Sequence, residues 1–160
     1  NLLTIIIPRH INRIDLIKDQ LNQLGLKTHL HEPEKRISKD TDVYLVNSYG
    51  QTKSFFSLCK NVFLGGSLIK HGGQNPLEAV RYGCNILHGP NVSNFEEIYN
   101  FLNSQKISFG IRDYNGMLKI LEKLLSSKKS EINIKNKIHF KGKKILDQSL
   151  KEIDHYLQIK

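Results

Sequence analysis

The chain has 160 residues, 39% hydrophobic and 24% charged, which gives one domain with a proper core and the make-up of an ordinary soluble protein. No apolar run reaches the roughly 18 residues that mark a membrane-spanning helix. Of the formal charge of +9, nine lysines set against four acids in residues 128–160 supply +5. The excess is therefore a basic tail, open to three readings: a solvated helix face, a nucleic-acid contact or attraction to an anionic membrane surface.

In chain order, Leu3 to Ile7 is a short β-branched run stopped by Pro8, the profile of a buried parallel strand. The sequence starts on this strand with no initiator Met or basic leader, which leads to the expectation that more chain precedes it. Ile14, Ile17, Leu21 and Leu24 recur at helical spacing, and Gly25 closes the helix. Leu26 to Leu30 and Val43 to Val46 are strands, and Phe55, Phe56 and Leu58 mark a short helix. Val62 to Leu64 runs into Gly65-Gly66, and Pro76 to Tyr82 is a helix with proline in its first turn and Gly83 at its end. Asn85 to Leu87 is a strand, Phe95 to Leu102 a helix, Ile107 to Ile111 a strand and Met117 to Leu125 a helix. A polar loop follows over Ser126 to Lys137, and Ile145, Leu146, Leu150, Ile153 and Leu157 form the apolar stripe of a last helix.

Strands alternating with helices across short joints predict an α/β domain, a doubly wound, Rossmann-like parallel sheet. Residues 1–127 form the binding domain, and the basic loop and last helix of 128–160 complete it or pack on an expected preceding N-terminal domain. Cys59 and Cys84 have no second Cys or His at ligand spacing, so both read as buried, reduced thiols of a cytosolic protein.

Ligands of open parallel sheets bind beyond the carboxyl ends of the strands. Four loops there carry polar residues and glycine. They are Pro8-Arg9-His10 with Arg13, Asn47-Ser48-Tyr49-Gly50-Gln51, the long stretch Gly65 to Glu78, and Gly89-Pro90-Asn91 with Asn94. In the long loop, Gly65-Gly66 and Gly72-Gly73 allow close approach of backbone N–H groups to a ligand. Asn75-Pro76 opens a helix whose N-terminus suits a phosphate. Glu78, one turn in, can accept two hydrogen bonds from a ribose diol, and Arg9 can clamp a phosphate or carboxylate. Each motif also has a plain structural reading: a turn at the glycines, a cap at Asn75, a capping box at Glu78. Neither a Walker loop nor the dinucleotide glycine fingerprint is present. His10 belongs with the ligand loops. His71 and His88 read as ordinary loop histidines, and no histidine shows paired metal-ligand spacing.

Gly65-Gly66-Ser67, Gly72-Gly73-Gln74-Asn75-Pro76-Leu77-Glu78, Gly89-Pro90 and Asn94-Phe95-x-Glu97-Ile98 together resemble the Kdo transferases. Pro8-Arg9-His10-x-x-Arg13 fits the same family. The resemblance runs from the first strand to about residue 125. It implies the C-terminal half of a GT-B glycosyltransferase, which binds CMP-Kdo without a metal or other cofactor. The transferred sugar is 3-deoxy-D-manno-octulosonic acid (Kdo), and the acceptor is the lipid A precursor of lipopolysaccharide, held by the other half together with the general base. The work is done at the cytoplasmic face of the inner membrane, with the membrane surface and not nucleic acid as a partner of the full-length enzyme.

On this resemblance Arg9 lies near the cytidine and its phosphate, and His10 lies near the cleft among the nucleotide-sugar-binding residues. Ser67 and Asn75 meet the phosphate or the Kdo carboxylate, Glu78 takes the ribose, and Tyr49-Gly50 lies near the base. Asn47 and Gln51 stand where the family carries acids, and Gln74 where it carries histidine, a donor that glutamine can still replace. A UDP-sugar transferase or epimerase on the same scaffold is the rival reading. A basic nucleic-acid module is another, opposed by the lack of any basic strand or recognition helix studded with aromatics.

Overall fold

A computed structural model describes residues 2–126 and, beyond them, positions 136, 139, 142, 143, 147, 150 and 151, which are helical. Asn136 is thus helical where a loop was expected. Leu150, at 49% exposed, is the one member of the expected last stripe that falls among the described residues. Two compact units divide the chain, Asn1–Phe55 and Phe56–Lys160.

The first unit holds β1 (Thr4–Ile6), α1 (Ile14–Gln23), β2 (Thr28–Leu30) and β3 (Val43–Leu45), with a 3-10 turn at Ile11–Arg13 ahead of α1. Its sheet is parallel in the order β1-β3-β2, with Ile5 and His29 both in register with Tyr44. The middle strand is paired on both edges, and Val43 to Val46 are all buried. Tyr44, Val46 and Phe55 form the core, backed by Ile5 and Ile7. The Tyr44 ring stacks on His29 at 5.4 Å, and its hydroxyl lies 2.8 Å from His31 Nδ1. Of the stripe expected on α1, Ile14 is buried but Leu24 is 75% exposed. Leu24 is the C-cap, whose N–H reaches back to the carbonyls of Gln20 and Leu21 while the chain turns away at Gly25.

The division between units falls inside α2 (Thr52–Leu58). The second unit continues with β4 (Asn61–Leu64), α3 (Leu77–Arg81), β5 (Asn85–His88), α4 (Glu96–Ser104), β6 (Ser108–Gly110) and α5 (Tyr114–Ser126). Its sheet is parallel in the order β4-β5-β6. Every residue of β5 is buried, as a central strand covered on both faces requires. Phe56, Ala79, Val80, Cys84, Ile86, Tyr99, Leu102 and Ile107 make one core cluster. The Cys84 thiol points at the carbonyls of Phe56 and Cys59, at 3.3 and 3.1 Å. Neither cysteine forms a disulfide; Cys84 is buried as expected, whereas Cys59 is only half-buried. The fold is therefore parallel α/β, with the expected strand series carried as two three-stranded sheets.

Candidate functional site

In the second unit the carboxyl ends of β4 and β5 carry the two loops that the sequence marks most strongly, and these loops interlock. Ser67 is completely buried. Its hydroxyl donates to the Leu64 carbonyl at 2.6 Å and accepts the Gly89 N–H at 2.9 Å. Its carbonyl accepts from the Asn91 backbone N–H at 2.9 Å and from Asn91 Nδ2 at 3.2 Å. Further along, Asn94 N–H donates to the Gly72 carbonyl at 3.2 Å, and the Tyr99 hydroxyl donates to the Gln74 carbonyl at 2.9 Å. Burial raises the Tyr99 phenol to about 12, so it remains a donor at any physiological pH.

This geometry revises one expectation. The Ser67 hydroxyl, expected on the ligand's phosphate or carboxylate, is spent on joining the two loops, because a buried hydroxyl takes internal partners. Asn75, given the same role, turns its side-chain oxygen to the Leu77 N–H at 3.0 Å, which leaves its amide Nδ2 as the group able to donate to an anion. The helix expected over Pro76 to Tyr82 is the five-residue α3, held short by Pro76 before it and Gly83 after it. Glu78 stands exposed in its first turn.

The glycines divide by task. Gly66, Gly72 and Gly73 have positive φ, whereas Gly65 does not. Gly65 is exposed with open space beside it, while a side chain at Gly72 would run into Asn94 and one at Gly89 into the Ser67 carbonyl. Close approach at Gly72 and Gly89 therefore serves loop against loop.

His88, read from sequence as an ordinary loop histidine, is 8% exposed at the end of the central strand. Its Nδ1–H donates to the Gly89 carbonyl at 2.7 Å, and its ring lies 4.4 Å from that of Tyr99. Burial lowers its pKa, which leaves Nε2 as the unprotonated nitrogen.

In the first unit Arg9 and His10 are exposed just past β1, and His10 precedes the 3-10 turn. Tyr49 is 73% exposed and Gly50 follows at φ 80°. Beside them the Ser48 hydroxyl is buried with no hydrogen-bond partner among the described residues, a feature that no sequence pattern signals.

A pocket of about 680 Å³ opens beside the glycine loop, lined by Lys70, His71, Asn91, Asn94, Glu96 and Asn100 among others. Asn100 and Glu96 escaped the sequence reading because they lie on α4 rather than in a glycine loop. Among the described residues no group of three or more His, Cys, Asp or Glu side chains could hold a metal ion. No helix among them is long and apolar enough to cross a membrane.

The chain is 31% identical to the 3-deoxy-D-manno-octulosonic acid transferase of Haemophilus influenzae, over 85% of its own length. To the transferase of the same name from Rickettsia bellii it is 32% identical over 97%. The chain is a relative of the Kdo transferases. It spans about a third of their length, 32% and 36% for these two. Among solved structures it is similar to the C-terminal CMP-Kdo binding domain of WaaA from Acinetobacter baumannii, with a TM-score of 0.77 and 27% identity. That likeness covers 86% of this chain and 72% of the other. The fold is thus that of the donor-side half of a GT-B enzyme. No protein-family model matches the chain.

Proposed function

We propose that this chain binds CMP-Kdo, as the donor side of a glycosyltransferase that moves Kdo onto the lipid A precursor. The observation that carries the reading is the likeness to a CMP-Kdo binding domain over 86% of the chain. The interlocked loops support it, because residues 65–78 and 89–98 hold both the shared sequence motif and the hydrogen bonds that fix its shape. Within that reading Glu78 accepts the ribose hydroxyls, and the backbone of Gly65-Gly66 faces the phosphate. For Arg9, His10, Tyr49, Gly50, Gly73 and Asn75 the reading rests on the motif alone. Transfer is metal-independent: CMP leaves as a monophosphate, which hydrogen-bond donors in a preorganised site can stabilise without a divalent ion. The enzyme works at the cytoplasmic face of the inner membrane, where its lipid acceptor lies.

Parallel calorimetric titrations with CMP, UMP and AMP test this. CMP is expected to bind more tightly than the other two. UMP or UDP as the tighter ligand would shift the reading to a UDP-sugar enzyme, and no binding of any nucleotide would end it.

A further inference from the structure

With the Ser67 hydroxyl spent internally, an acidic sugar loses one of the partners that the motif offered it. We propose that the pocket between residues 70–72 and 90–94 receives the sugar acid of the donor, with Lys70 as the partner of its carboxylate. The proposal rests on the donor reading above and specifies where the sugar goes.

The pocket adjoins the glycine loop directly, since Lys70, His71 and Gly72 line it. Its volume of about 680 Å³ lies inside the usual range for small-molecule sites, roughly 300–1,000 Å³. Its lining suits a polyhydroxylated acid better than a base. No Phe, Tyr or Trp lines it, and the His71 imidazole is its one aromatic ring, so polar groups dominate the lining. What it offers are the amides of Asn91, Asn94 and Asn100, each able to donate and accept toward sugar hydroxyls. The Asn91 amide nitrogen already bonds the Ser67 carbonyl, which orients the group.

Lys70 is exposed and makes no ion pair among the described residues, so its ammonium is available to an incoming anion. His71 lies next to it, its ring carbon Cδ2 only 3.5 Å from where a Cβ at Gly66 would be, beside the Gln74 amide at 3.7 Å. That places the His71 imidazole, itself part of the pocket lining, and the Gln74 amide beside Gly66. Glu96, the one acid of the lining, can accept from sugar hydroxyls, as carboxylates do in sugar sites.

The test compares CMP with freshly prepared CMP-Kdo, titrated into this chain and into its Lys70→Met and Lys70→Arg variants. Wild-type chain should bind CMP-Kdo more tightly than CMP. Lys70→Met should lose about tenfold for CMP-Kdo, the worth of a charge-assisted bond, with CMP unchanged. Lys70→Arg should retain most of the affinity. Equal affinities of the wild type for the two ligands, or equal losses for both in Lys70→Met, would overturn the sugar pocket and leave CMP binding standing. Failure of the wild type to bind either ligand would remove the donor reading, and the pocket with it.

Discussion

Asn94 fills the space that a side chain at Gly72 would need: a Cβ built on Gly72 would lie 2.3 Å from Asn94 Nδ2. The same two residues are joined by the hydrogen bond from Asn94 N–H to the Gly72 carbonyl. The two halves of the sequence motif, 22 residues apart, are thus neighbours in the fold.

Gly72→Ala meets two costs, the overlap with Asn94 and a φ of 83° that an L side chain resists. A loss of about 1–2 kcal/mol is expected from the backbone alone. Asn94 is flexible at its tip, so Asn94→Ala in the same chain should recover only the overlap. Chemical denaturation of Gly72→Ala, Asn94→Ala and the double variant measures this; full recovery in the double variant would mean that the backbone contributes nothing.

Gly89→Ala should be worse. Here the Cβ would come within 2.3 Å of the Ser67 carbonyl oxygen and 2.5 Å of its carbon, and backbone cannot swing aside. A loss of about 3 kcal/mol or more is expected, at the upper end for overpacking. A melting temperature equal to that of Gly72→Ala would contradict this ordering.

Ser67→Ala tests the junction without adding bulk. It strands the buried Gly89 N–H and the Leu64 carbonyl, at about 1–3 kcal/mol. If instead stability holds and CMP binding falls, the hydroxyl serves the ligand after all.

Glu78→Gln keeps the size of the side chain and exchanges a charge-assisted hydrogen bond for a neutral one. CMP binding should weaken by about 1–2 kcal/mol, with little change in melting temperature because the residue is exposed. Normal CMP affinity in the variant would remove Glu78 from the ribose.

Asp40 offers a pH readout in the first unit. The hydrogen bond from Lys27 and then that from Ser38 lower its pKa from 3.8 to about 2. A depressed carboxyl contributes stability that is complete above 3.8 and is lost as pH falls from there toward 2. Carbon NMR should find the Asp40 midpoint near 2, and Lys27→Met should move it upward. A wild-type midpoint near 3.8 would mean that the pair does not persist in solution.

Much of the fold could be read from the chain because its strands are short apolar runs and its helices carry periodic stripes. Val43 to Val46 and Asn85 to Leu87 announce themselves as strands without help from any neighbour. What stayed hidden depends on residues distant in sequence. Ser67 looks like any loop serine until Gly89 is seen against it, and His88 looks like a loop histidine until Tyr99 covers it. Leu24 fits its helical stripe by spacing, yet the cap carries it into solvent. The glycine loops could be located by sequence, but their division between ligand approach and mutual packing could not, since both tasks ask for the same missing side chain.

Cys84 gives the second unit a built-in clock. Its sulfur is fully enclosed, pointing at two carbonyls on and just after α2, whereas Cys59, half-buried, is raised in pKa by that burial but stays within reach of solvent. A thiol reagent added to the native protein should mark Cys59 early and Cys84 only when the packing around β5 opens. The lag between the two labels then measures how often that opening occurs. The lag should lengthen when a nucleotide that binds only the closed form is present, so the rate of labelling at Cys84 becomes a ligand assay that needs no sugar transfer.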